Sequence, residues 1–129
     1  PARAREPLTV TLLMADARRA LAAAQARATA GDDATAMLMV ASARSRLGLI
    51  DERFAAPTLA QPRADLRAAD RGLADIQAAL HDRRPEAGAA LAVWLAGSHR
   101  LARELTARQS ASLFDPARLA QAAKRRLPG

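Results

Sequence analysis

Two histidines, His81 and His99, are the only side chains here whose ordinary titration falls near neutrality. Cysteine is absent, which excludes thiolate nucleophiles, disulfides and thiolate-ligated zinc or iron–sulfur centres. Any metal would need His with Asp or Glu. A di-iron helical bundle uses inward Glu-x-x-His pairs, yet none of Glu6, Glu52, Glu86 or Glu104 is followed by His three residues on. The six glycines are scattered, with no G-x-x-x-x-G-K-[ST] loop to cradle phosphate and no glycine elbow presenting a serine. Asp32 with Asp33, and Asp51 with Glu52, read as helix caps and solvated faces rather than acid–base pairs. The chain is therefore expected to be non-enzymatic and to use no cofactor or metal.

His99 has the most distinctive surroundings. Ser98-His99-Arg100-Leu101-Ala102-Arg103-Glu104-Leu105-Thr106 resembles the phospho-accepting box of sensor histidine kinases over nine residues. Ser98, His99, Leu101, Leu105 and Thr106 carry the likeness. Arg100 stands where an acidic residue usually follows the histidine, and Glu104 where proline is usual. Ala102 and Arg103 stand where histidine phosphotransfer domains usually have Lys and Gly. The resemblance implies His99 as a phospho-acceptor, with histidine phosphotransfer as one alternative function. His81, by contrast, falls at a predicted helix C-terminus, where a histidine can meet the negative end of the dipole.

The elements that must carry these residues are helical. The chain holds 36 Ala and 18 Leu but only five Val or Ile and three aromatics, which leaves little to build a sheet from. Pro7 suits a helix first turn, and Val10, Met14, Ala17, Leu21, Ala24 and Ala28 then recur at helical spacing until Gly31. Asp32 and Asp33 offer an N-cap to a second helix with Ala36, Val40, Ala43, Leu47, Ile50 and Phe54 inward. Residues 56–62 (APTLAQP) carry two prolines and break the pattern. A third helix follows, with Leu66, Ala69, Leu73, Ile76 and Leu80 on one stripe. Pro85 is expected to start a fourth, whose stripe is Leu91, Trp94, Leu95, Ser98, Leu101, Ala102 and Leu105. Asp115 and Pro116 are expected to start a short fifth helix with Leu119 and Ala123 inward. The expected fold is all-α: an antiparallel up-down four-helix bundle with a short fifth C-terminal helix. It would be a single domain over residues 1–129, with basic, frayed ends at 1–6 and 124–129. Repeated phrases such as ARRALAAAQARA share a helical period, but no solenoid period holds.

The net charge is +7, and 19 of the 20 basic residues are arginine. Ala, Arg, Gly and Pro all have GC-rich codons, so high-GC coding accounts for much of this bias. Residues 1–31 and 113–129 each sum to +3, so most of the excess lies at the ends. In an up-down bundle those ends share a pole. Arg3, Arg5, Arg118, Lys124, Arg125 and Arg126 are thus candidate contacts for nucleic acid or another anion, through salt-sensitive phosphate attraction. Base stacking has little support, because Phe54, Trp94 and Phe114 all fit the apolar pattern. No run reaches the ~20 apolar residues of a membrane span, and a cleaved leader is not expected. The cytoplasm is the default compartment. With every tested constellation missing, the expected function is that of an interaction or accessory protein binding a protein partner or itself, a homodimer included. Met37, Met39, Ser42 and Arg46 form the candidate partner face, since methionines adapt to varied surfaces.

Overall fold

A computed structural model describes the backbone of residues 6–53 and 60–113 and the side chains of residues 9–53 and 63–108. These residues form four helices and no strand: α1 Glu6–Thr29, α2 Asp33–Arg53, α3 Ala60–His81 and α4 Ala87–Leu113. Phe54, Phe114 and the expected fifth helix from Asp115 lie outside the described residues.

Two helix ends close with the same backbone device. At the end of α1, Gly31 takes φ +84°. Its N–H donates to Ala28 O at 3.0 Å while Asp32 N–H reaches back to Arg27 O at 2.9 Å. Those bonds satisfy carbonyls that a helix end would otherwise leave unpaired. Asp32 then caps α2, its Oδ1 accepting Thr35 N–H at 3.2 Å. At the end of α3, Arg83 N–H donates to Leu80 O at 3.1 Å and Arg84 N–H to Ala79 O at 2.9 Å. Here the left-handed position is occupied by Arg83, at φ +54°, where a Cβ costs roughly 1–2 kcal/mol.

Two boundaries differ from the sequence reading. The third helix starts at Ala60, ahead of Pro62; within a first turn the missing proline N–H breaks no helical bond. The fourth starts at Ala87 rather than Pro85. The intervening residues close α3 and turn the chain, and Glu86 O accepts the Ala90 N–H at 2.9 Å.

Each helix packs chiefly on two others: α1 on α2 and α4, and α3 on α2 and α4. Thr11 bonds Thr106 and Arg18 bonds Ser98; Arg44 bonds Asp70 and Asp51 accepts from Arg63. Of these four contacts α1–α2 is the most extensive and α3–α4 the least. Ala17 and Ala24 of α1 and Ala36 and Ala43 of α2 are buried with no exposure, and such small side chains let helices approach closely. Between α3 and α4, the half-buried Trp94 and Leu101 sit at the seam.

The buried centre is Val10, Met14, Leu21, Val40, Leu47, Ile50, Leu66, Leu73, Leu80, Leu91 and Leu105. Along α4 the stripe is narrower than its sequence suggests. Leu91, Ser98 and Leu105 are buried, while Trp94, Leu95, Leu101 and Ala102 flank them half-buried. Ala69 is also half-buried, and Ala79 and Ala87 join the core. Among the described residues, six of the eighteen buried apolar side chains are alanine, so burial at about 25 cal/mol per Å² yields less per residue than a leucine core would. No helix among the described residues is long and apolar enough to cross a membrane.

Candidate functional site

Ser98 is the one buried polar residue among those described, 2% exposed on the inner stripe of α4. A buried hydroxyl needs partners, and it has two. Its O–H donates to Leu95 O at 2.6 Å within its own helix, and its Oγ accepts Arg18 Nε–H from α1 at 3.0 Å. Arg18 also places Nη2 at 2.9 Å from Nδ1 and 2.7 Å from Nε2 of His99. A guanidinium has donors only, so the imidazole supplies the lone pair. His99 itself is exposed, but both ring nitrogens stand against the arginine.

Arg18 and His99 border a groove of about 480 Å³ between α1 and α4, whereas Ser98 lies toward the groove between α3 and α4. Ala15, Ala22, Leu95 and Ala96 form its apolar lining, and Arg19 stands beside Arg18. Arg19 pairs with Asp16 along α1. Alanine on both helices keeps the groove open, since longer side chains would fill it.

A second groove, about 330 Å³, lies between α3 and α4. Trp94 fixes its geometry. The indole N–H donates to Ala69 O at 2.9 Å, and the ring lies over Gly72, where an added Cβ would sit 3.5 Å from Trp94 Cδ1. Ala68, Gly97 and Leu101 line the groove. Val93, 74% exposed, stands at its edge. Asp65, Arg100 and Glu104 make the polar rim, with Arg100 Nε donating to Glu104 Oε1 at 3.1 Å.

Ionic contacts fix α3 against α2. Arg44 holds Asp70 with Nε–Oδ1 at 2.9 Å and also reaches Gln77 Oε1 at 2.9 Å. Arg63 grips Asp51 through two bonds, 3.0 and 3.2 Å, with Arg67 at 3.4 Å. The hydrogen bond from Arg63 is the main cause that holds the Asp51 carboxyl below the usual carboxylate range, against a smaller opposing effect of burial. Asp32 is likewise lowered, by hydrogen bonds from Thr35.

The sequence-derived candidates fall out as follows. Met37 and Met39 are half-buried against the core, and Arg46 Nη1 donates to Ser42 O at 3.0 Å and to its Oγ. At ~100° per residue, Met39, Ser42 and Arg46 share one flank of α2. Met37 stands ~140–180° round the helix from them, so the four do not make one face. His81 ends α3, exposed, with Nδ1 3.2 Å from Asp82 Oδ1. Arg3, Arg5, Arg118, Lys124, Arg125 and Arg126 lie outside the described residues. No cluster of three or more His, Asp or Glu among the described residues is placed to hold a metal ion.

Arg18, Val93 and Gly97 were not singled out by the sequence. The signal for Arg18 was indirect: a serine on an otherwise apolar stripe needs a donor or acceptor from elsewhere, but nothing in the chain says which of 20 basic residues provides it. The chain was compared with protein-family models, curated proteins and solved structures, and none of them matches.

Proposed function

We propose that this chain is a non-enzymatic interaction module, an up-down-up-down antiparallel four-helix bundle whose α3–α4 groove receives an amphipathic helix of a protein partner. The observation that carries this reading is the exposed Val93 beside the half-buried Trp94 and Leu101, on a seam that α3 and α4 leave open. An apolar strip between two helices is the shape a third helix fits, with anchors three and four residues apart. Ala68, Ala69 and Gly97 keep the groove wall low, so a partner backbone can approach closely. Asp65, Glu104 and Arg100 offer both signs of charge to the partner's polar flanks. Catalysis plays no part in this reading, and a second copy of the chain is the competing occupant.

The test uses Trp94, the only tryptophan in the sequence. A displayed library of amphipathic helical peptides is selected on the full chain, and binding is read as a change in Trp94 emission. The expected result is saturable peptides that shift the emission and lose at least tenfold in affinity on Val93→Asp. Because Val93 is 74% exposed, that variant should keep its helical circular dichroism. Peptides that bind Val93→Asp equally well, or that leave Trp94 unmoved, overturn the proposal. Light scattering that shows a dimer broken by Val93→Asp assigns the groove to self-association instead.

A further inference from the structure

Four arginines among the described residues are half-buried: Arg18, Arg44, Arg46 and Arg63. Arg44 and Arg63 each carry an aspartate. Arg46 folds back on Ser42 of its own helix. Arg46 likewise has no carboxylate, but Arg18 differs in crossing to another helix, where its acceptors are Ser98 and His99 of α4. No carboxylate among the described residues lies within ion-pair distance of it. A cation partly withdrawn from water without a counter-charge is unfavourable, and an anion delivered to it relieves that cost.

The donors are arranged for such a delivery. Nε and Nη2, one edge of the guanidinium, are committed to α4. Nη1 has no acceptor among the described residues, and a guanidinium holds carboxylate or phosphate through paired N–H groups. The groove it borders is concave, about 480 Å³, within the ~300–1,000 Å³ of small-ligand sites. Its charged lining is Arg18 and Arg19, and its remaining wall includes Ala22, Leu95 and Ala96. No acidic side chain lines it.

We infer that the α1–α4 groove binds a small organic anion, a phosphate or carboxylate on a compact apolar body. Arg18 receives the charge, and Ser98 and His99 position its guanidinium. The alanine wall accommodates the apolar body. A groove with one cation free of an acidic partner suits a small ligand rather than a polymer of phosphates, which needs a series of them.

Butyl phosphate, butyrate and inorganic phosphate serve as probes in a titration of the full chain, followed by NMR of the arginine Nε–H and histidine ring signals. Butyl phosphate or butyrate is expected to shift Arg18 and His99 saturably, and to bind more tightly than inorganic phosphate. The tighter of the two names the headgroup. Arg18→Gln should weaken binding by about tenfold or more, Arg18→Lys by less, and Arg71→Gln on exposed α3 not at all. Thermal unfolding followed by Trp94 emission checks that each variant is folded. Equal affinity in a folded Arg18→Gln, or shifts spread over exposed arginines such as Arg71 and Arg83, overturns the inference. So does inorganic phosphate binding as tightly as butyl phosphate.

Discussion

Replacing Ala17 by leucine measures how closely α1 lies on α2. Ala17 has no exposed surface, like Ala24 of the same helix and Ala36 and Ala43 of α2. Leucine and alanine are both good helix formers, so propensity contributes little. Leucine adds three carbons. If the seam had room for them, burying them would stabilise the fold by roughly 2.4 kcal/mol, at about 0.8 kcal/mol per methylene. If the backbones already touch, the side chain forces them apart and costs about 1–3 kcal/mol. The extent of the α1–α2 contact argues for the second case. The two outcomes differ in sign, so the measurement is decisive. Urea unfolding followed by Trp94 emission and circular dichroism should show a midpoint lowered by roughly 0.5–1.5 M with an unchanged slope of about 2 kcal/mol/M. Ala26→Leu, on the exposed side of the same helix, should move stability by no more than about 0.5 kcal/mol. A midpoint that stays or rises in Ala17→Leu refutes the close seam.

The two left-handed helix ends give opposite expectations. Arg83→Gly should stabilise by roughly 0.5–1 kcal/mol, and Gly31→Ala should destabilise by about 1 kcal/mol, both read from urea midpoints. The ion pair between Asp51 and Arg63 sets an acid dependence. Because the folded carboxyl is held below its unfolded value of about 3.9, its contribution is fully present above that pH. It is lost as pH falls through the depressed folded value. Asp51→Asn should therefore flatten the decline of unfolding free energy below about pH 4, and an unaltered decline would contradict the pairing. Trp94→Phe removes the indole N–H bond to Ala69 O and leaves that carbonyl with its helical partner alone. It should lower stability by about 1 kcal/mol in thermal unfolding followed by circular dichroism.

The amino-acid sequence by itself determined that the chain is helical and where most of each buried stripe runs. Val10, Met14, Ala17, Leu21 and Ala24, then Ala36, Val40, Ala43, Leu47 and Ile50, are all buried as their spacing implies. Periodicity is a local property, set by 3.6 residues per turn and by which side chains avoid water, so it can be read without knowing the neighbours. Gly31 and Asp32 are legible for the same reason, since a cap concerns only adjacent residues. What lies between helices was not legible. The narrowness of the α4 stripe depends on how α1 and α3 pack against it. The meeting of Arg18 with Ser98 and His99 joins residues 80 and 81 positions apart. Any of many arginines on a helix flank could have met Ser98. Which one does so is fixed by the axial register and rotation of α1 against α4, and those follow from the packing of all four helices together.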